Sequence, residues 1–186
     1  MGMNVGLAVF ETINERRSIR AYTEEEVSEK DVDQLIEASR WIPSAGNTQQ
    51  LESVVLTDLE TKWKLSGAGL NQTFIKKSPV ISVVFADVHR SDRSYGSRGK
   101  KLYSKQDTAA TTQNILLTAH ELEIATCWIE VFNDKRVVKT VKAPRSIKHV
   151  AIYPIGHSAE RHTTPPKRPV KEIVHYETFR GKHNGR

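Results

Sequence analysis

Apolar residues recur at helical spacing at the start of the chain, where Val5, Ala8, Val9 and Ile13 predict a helix over Val5–Arg16. Ser28 with Asp31 reads as a capping box that opens a second helix, with Val32, Leu35, Ile36 and Ala38 on its apolar face and Pro43 as its stop. Ser53–Thr57 reads as a strand, and Asp58 as the cap of a short helix ending near Gly67 and Gly69. Pro79 leads into Val80-Ile81-Ser82-Val83-Val84-Phe85, a nearly unbroken β-branched run of the kind expected for a strand buried on both faces. Asp107 is expected to cap a long helix through Ile124, whose small-residue start at Thr108–Thr112 lets another helix approach closely. Thr126–Phe132 and His149–Ile155 read as further strands, and Pro169 as the first turn of a last short helix, Val170–Phe179. The segment His89–Lys105 reads as a long basic loop. No repeat or Pro/Gly/Ser-rich linker divides the chain. Helices and strands mix without strict alternation, which predicts an α+β fold with a central sheet flanked by helices. One domain is expected over 1–180, followed by a polar tail at 181–186.

Composition narrows the class. With 186 residues, 38% hydrophobic and 27% charged, the chain is neither collagen-like nor disordered. No apolar run approaches the ~18 residues a membrane span needs. The one cysteine, Cys127, excludes an internal disulfide and a cysteine-rich zinc site. The first residues carry neither a basic leader nor a small-residue cleavage site, so the cytoplasm is the expected compartment. A net charge of +6 favours anionic partners without choosing among them.

Two clusters carry candidate chemistry. Arg16-Arg17-Ser18-Ile19-Arg20 sets three guanidiniums and a hydroxyl within one short stretch, which suits a phosphate monoester. Arginine at a helix end also complements the dipole, so the pattern alone leaves both readings open. Pro43-Ser44-Ala45-Gly46-Asn47-Thr48-Gln49 is a loop whose small residues let a planar ligand lie against the backbone. Its amides at Asn47 and Gln49 match the imide edge of a heterocycle, and a plain helix-to-strand turn is the alternative. Gly96-Ser97-Arg98-Gly99-Lys100-Lys101 echoes a P-loop but has Ser94 where the motif needs glycine. The histidines show no zinc-ligand spacing, and no metal site is expected. Cys127, beside Trp128 in an apolar strand, reads as inert core.

Taken in order, these clusters resemble the nitroreductase family of flavin enzymes, which has Arg-Arg-Ser-x-Arg after its first helix and then Pro-Ser-x-x-Asn-x-Gln. Further matches are Ser78-Pro79, Gln113-Asn114-Ile115-Leu116-Leu117, Thr126-Cys127-Trp128-Ile129, Ile155-Gly156-His157 and Lys167-Arg168-Pro169. The resemblance implies a mostly antiparallel sheet in an intertwined homodimer, with FMN at two sites lined by both chains. On that pattern Arg16, Arg17, Ser18, Arg20 and Arg168 hold the phosphate and the pyrimidine edge. Pro43, Ser44, Asn47 and Gln49 come from the partner chain, and Asn71 or Gln72 reaches the pyrimidine or ribityl region. The backbone of Ile129, Glu130 and Val131 lies near the flavin N5. The implied reaction is ping-pong: NAD(P)H reduces the flavin, then a nitroaromatic, quinone or similar acceptor is reduced, with no dedicated catalytic side chain. Two departures stand out. Gln50 and Leu51 replace a Pro-aromatic pair, and Glu130 stands where compact members have glycine; its carboxylate either restricts substrates or points away.

The basic segment adds a further expectation, that Arg98, Lys100 or Lys101 contacts the pyrophosphate or 2′-phosphate of the nicotinamide donor. The alternatives are a specialised dehydrogenase or dehalogenase on the same scaffold and, from another class, a nucleic-acid-binding protein. The last has only Tyr95 and Tyr103 as stacking candidates in its basic stretch and no recognised binding motif, so neither nucleic acid nor membrane is an expected partner.

Overall fold

The computed structural model describes residues 9–144 and 146–181, the side chains of 149 and 150 excepted. Its centre is a four-stranded antiparallel sheet in the order β1-β2-β4-β3, with β1 Leu51–Leu56, β2 Val80–Asp87, β3 Ala125–Thr126 and β4 Ile147–Gly156. The β-branched run at Val80–Phe85 is β2, and it is buried along almost its whole length. Parallel pairing is not needed to bury it, because helices cover both faces of an antiparallel sheet. On one face Leu35 of α2 (Glu29–Ser39) and Ile115, Leu116 and Ala119 of α6 (Ser104–Glu121) pack on Val80, Val84, Tyr153 and Ile155. On the other, Leu65 of α3 (Leu59–Ala68), Ile75 of α4 (Phe74–Lys77) and Val137 of α7 (Asp134–Thr140) pack on Ile81, Val83, Phe85 and Ile152. Each such fully buried aliphatic or aromatic side chain contributes about 1.5–3 kcal/mol.

Local chemistry sets the helix starts. Ser28 Oγ accepts from Asp31 N–H at 3.1 Å and donates to the Asp31 carboxylate at 2.7 Å, a reciprocal cap on α2. Asp58 accepts from Thr61 N–H at 2.8 Å and so caps α3. Lys62 is buried and donates to the Ser78 and Pro79 carbonyls at 2.9 and 3.0 Å, tying α3 to the entry of β2. The small residues at the start of α6 serve a single chain: Thr108, Thr111 and Thr112 are buried where α2 crosses, and the Thr112 hydroxyl hydrogen-bonds that of Tyr153.

Four sequence expectations are corrected, and a fifth lies partly outside the described residues. The first helix, α1, is Val9–Glu15 within the described residues, and its expected start at Val5 lies outside them. The basic segment is not a loop. Val88–Arg98 forms α5, kinked at Gly96 (φ 54°), and Gly99–Tyr103 forms a π-turn running straight into α6. Asp107 therefore caps nothing; it is buried in the first turn of α6 and accepts from Gln50 Nε2 at 2.6 Å. The strand expected over Thr126–Phe132 is two residues long, after which a bridge pairs Ile129 with Ile152. Beyond Pro169, among the described residues only Val170–Glu172 coils, as a 3₁₀ turn, because Ser158–Arg180 is exposed and its apolar residues pack into neither described core. The polar tail falls outside the described residues except Gly181.

Gly156 ends β4 at a crowded point. A Cβ there would stand 2.7 Å from Pro79 Cδ and 3.0 Å from Tyr22 Cδ1. Gly156→Ala should therefore destabilise the fold by about 1–3 kcal/mol in urea unfolding through overpacking, and an unchanged midpoint would show that Pro79 and Tyr22 can give way.

Candidate functional site

The arginine cluster is positioned by backbone. After α1 the chain runs extended along the β3 edge, where Ser18 bridges Thr126 and Ile19 N–H donates to Thr126 O at 2.9 Å. Thr23 N–H donates to His157 O at 2.9 Å, and Ala159 N–H to Ala21 O at 3.0 Å. Ile19 and Tyr22 are buried, with Phe74 of α4 packed against them. The strip is thus held between β3 and the chain leaving β4, with Arg16, Arg17, Ser18 and Arg20 lining a cavity of about 400 Å³ that His162 and Lys167 complete.

The electrostatics of that cavity favour an anion. Arg17 Nη1 donates to the Asn14 and Arg16 carbonyls at 2.6 and 2.8 Å, and Nη2 to Thr164 Oγ1. Yet Arg17 Nε and Arg16 Nη1 are buried without a partner among the described residues. Burial, and then the neighbouring Arg17, pull the Arg16 pKa below its ordinary value. Two guanidiniums forced together with donors left over are the setting in which a multivalent oxyanion is stabilised. Arg20 is exposed, and its backbone N–H donates to Glu160 Oε1 at 2.6 Å. Arg168 does not join them; it donates to Glu172 O at 3.0 Å and pairs with the Glu172 carboxylate at 3.7 Å.

A second part of this edge is the turn after α3. Leu70 (φ 54°) and Asn71 (φ 60°) are left-handed. Gln72 Nε2 donates to Gly69 O at 2.9 Å and to Val131 O at 3.3 Å, so this side chain braces the turn against residues 129–131. Asn71 is exposed, and among the described residues its amide has no partner. Ile129 N–H and C=O are both engaged with Ile152, at 3.0 and 3.1 Å. Glu130 and Val131 are exposed, and among the described residues their N–H groups make no backbone bond.

The loop Pro43–Gln49 lies elsewhere. It leads into β1, at the opposite edge of the sheet from the arginine strip. Gly46 (φ 55°), Asn47 (φ 54°) and Gln49 (φ 45°) are all left-handed. For a residue with a side chain this conformation costs roughly 1–2 kcal/mol, less for asparagine. Gln49 N–H donates to Ser44 Oγ at 3.2 Å, while Pro43, Asn47 and Gln49 are exposed. Neither amide side chain has a partner among the described residues, so the strain presents two unengaged amides outward. One protomer therefore does not bring the two sequence-predicted clusters together.

Other places have less to offer. A cavity of about 630 Å³ beside α7 has Lys135, Lys139, Lys142 and Lys148 around Val138 and Ile147, without an arginine cluster or an orphaned buried donor among the described residues. No group of metal ligands occurs among the described residues, and no described helix is long and apolar enough to cross a membrane. Sequence reasoning passed over His162 and Thr164, which the chain returns to the arginines 147 residues beyond Arg17 in the case of Thr164. Only the neighbouring Lys167-Arg168 gave a hint of them.

Comparison with known proteins gives this geometry a context. The family model described as "Nitroreductase family" matches residues 13–70 and 64–157. An archaeal protein named putative NADH dehydrogenase/NAD(P)H nitroreductase, from Archaeoglobus fulgidus, is 30% identical over 76% of this chain and 80% of its own. The FMN reductase [NAD(P)H] of Bacillus subtilis is 27% identical over 92% of this chain and 74% of its own. A solved structure of a hypothetical oxidoreductase from Bacillus subtilis superposes with a TM-score of 0.84 at 27% identity, covering 92% of this chain and 74% of that one.

Two outcomes follow from the arginine edge. Arg16→Met removes a partly desolvated cation beside Arg17, so without added anion the variant should be at least as stable in urea as the parent. Inorganic phosphate should raise the parent's midpoint more than the variant's, and a variant less stable without anion contradicts this. Cys127 is buried, and burial pushes its thiol above the ordinary pKa. It should react with a disulfide reagent only after denaturation, and fast labelling of the native protein would overturn that assignment.

Proposed function

The chain belongs to the nitroreductase family, and from that premise we propose that it is an FMN-dependent oxidoreductase driven by NAD(P)H and assembled as a homodimer. The observation that carries the reading is the pair of unsatisfied, buried guanidinium donors at Arg16 and Arg17 in a cavity they share with Ser18, Arg20 and Lys167. A phosphate monoester carries a charge near −1.5 to −2 and acceptor oxygens for those donors, so the residues present fit the FMN phosphate. Arg168 is the remaining phosphate candidate. Its present pairing with Glu172 is exposed, and such pairs hold by only about 0–1 kcal/mol, so little opposes its turning to an anion.

The split between sheet edges supports the dimer. In this reading Pro43, Ser44, Asn47 and Gln49 of one protomer complete the site that the other protomer's arginines begin. Exposed Val9, Phe10 and Ile13 on α1 and the uncovered Ser158–Arg180 arm supply the apolar surface that a second copy would cover. Of the pair left open by sequence, this reading gives the pyrimidine or ribityl region to Asn71, a choice supported by Gln72 Nε2 being occupied as a brace. The N–H groups of Glu130 and Val131 are those left to face N5, because that of Ile129 is engaged.

The chemistry FMN supplies when bound is hydride acceptance from NAD(P)H followed by reduction of an acceptor, here a nitroaromatic, quinone or similar molecule, in ping-pong order. The protein's part is to fix the phosphate through arginines, orient the ring through Asn71 and the partner's loop, and present backbone donors at 130–131. Exposed Lys100 and Lys101 remain candidates for the donor's phosphates, whereas Arg98 Nε is bonded to the Tyr103 hydroxyl at 2.9 Å. The NAD(P)H requirement agrees with a cytoplasmic setting.

Protein loaded with FMN should lose its visible flavin bands on anaerobic addition of NADH or NADPH and regain them with a quinone. Initial rates over both substrates should give parallel double-reciprocal lines. Sedimentation should give twice the chain mass. Failure of NAD(P)H to bleach bound FMN would sink the reading, as would a monomer that binds FMN as tightly as any dimer.

A further inference from the structure

We propose that Arg90 is a positioning residue that holds the Ser44–Gln49 loop in its flavin-facing conformation, an inference that rests on the FMN reading above. The basic segment is helical, and α5 runs from Val88 directly after β2, beside β1 and the loop that precedes it. Arg90 Nη1 donates to Gln49 O at 2.9 Å and reaches Thr48 O at 3.4 Å. Its Nε side is steadied by the Asp87 carboxylate at 3.7 Å, while Asp87 N–H donates to Gln50 O at 2.8 Å. The junction of β2 and α5 therefore grips three successive carbonyls, those of Thr48, Gln49 and Gln50.

A second grip comes one helical step further along. A Cβ at Gly46 would meet the Tyr95 hydroxyl, so the tip of this ring lies against the loop glycine, whose φ of 55° already favours glycine. Tyr95 is itself packed edge-on against Tyr103, with ring centroids 5.3 Å apart, and Arg98 donates to the Tyr103 hydroxyl. Positions 46, 47 and 49 are left-handed, and the side-chain amides of Asn47 and Gln49 find no partner among the described residues. The loop's own bonds, from Asn47 N–H to Ser44 O and from Gln49 N–H to Ser44 Oγ, leave its last carbonyls open, and α5 takes these up to hold a conformation that is unfavourable by itself. The guanidinium is suited to this because its planar fork bonds adjacent carbonyls while one edge stays on Asp87. An ammonium at the same place can reach one carbonyl without fixing the plane of the next.

The test is a set of FMN titrations by flavin fluorescence, with visible-region circular dichroism of the bound flavin and thermal melting of each flavin-free protein. Arg90→Ala should weaken FMN binding by about tenfold and alter the visible dichroism, with the melt of the flavin-free protein little changed. Arg90→Lys should recover part of the affinity. In an Asn47→Ala, Gln49→Ala background the same Arg90→Ala change should cost about twofold or less, since the groups it positions are gone. Equal losses in both backgrounds, or a loss of affinity that only tracks a lower melting temperature, would overturn the positioning role. A parent protein that binds FMN, together with Asn47→Ala, Gln49→Ala binding as tightly as the parent, would remove the loop from the site and this role with it. If the parent does not bind FMN at all, the functional reading itself fails, and a retained response to inorganic phosphate would identify that failure as one of ligand identity.

Discussion

The insertion of Ser18–Thr23 between β3 and the chain leaving β4 is the constraint on which the arginine site depends. Three cationic side chains flank that strip, and the two that are partly buried repel each other. Ile19 and Tyr22 oppose the repulsion from within. Both are buried, the Tyr22 hydroxyl donates to Ile19 O at 2.6 Å, and the backbone is bonded on one side to Thr126 and on the other to residues 157–159. Burial of two such side chains contributes on the order of several kcal/mol, enough to hold like charges at close range. Gly156 matters for the same reason, because the strip approaches β4 where a larger residue would meet both Pro79 and Tyr22.

The two clusters of the proposed site are held by different physics. The arginine strip gains its order from a ladder of backbone bonds and buried apolar anchors, and its electrostatic tension resides in side chains. In the Ser44–Gln49 loop the tension is in the backbone, at three left-handed residues, and the restraint comes from the basic helix α5. A ladder is cooperative and difficult to shift, whereas a loop braced by one guanidinium and one phenol ring can be tuned by single residues. On the proposed reading, a change in how the loop edge is braced is therefore a physically cheap way to alter ring placement while the phosphate end stays fixed.

What was legible in the sequence follows from how local each signal is. Ser28 and Asp58 declare helix starts because a cap bonds three residues ahead, and Val80–Phe85 declares a central strand because burial on both faces leaves few polar positions. The basic segment misled because its run of charge read as a loop. Its helical character depends on Val88 and Ser91 being buried and on Gly99 lying against Ser91, which no short window displays. Asp107 looked like a cap and is instead a buried acceptor for Gln50, a partner 57 positions away. Of the proposed site, the arginines and the amide loop were visible as residue types in order. The roles of Thr164 and Arg90 were not, because each acts through a contact more than forty positions distant in sequence. Val170, Ile173 and Val174 have helical spacing without a helix, since propensity in so short a stretch is marginal without a face to pack on.

That last failure bears on assembly. Sheet order separates the amide loop from the arginine strip by the full width of the sheet, and no rearrangement of side chains can close that distance within one protomer. A site using both clusters must then draw on two chains, and a two-fold axis generates it twice, because each chain offers the complementary half of what the other lacks. The segment from Ser158 to Arg180 is exposed throughout, holds Val170, Ile173, Tyr176 and Phe179 in solvent, and carries Lys167 and Arg168. An arm with that composition gains apolar burial only by lying on another surface. If it does so, the same movement that buries its hydrophobic residues sets where its two cations stand relative to the anion site. Dimer formation and phosphate affinity would then be linked through one stretch of chain, with the free energy of docking the arm appearing as affinity for the cofactor.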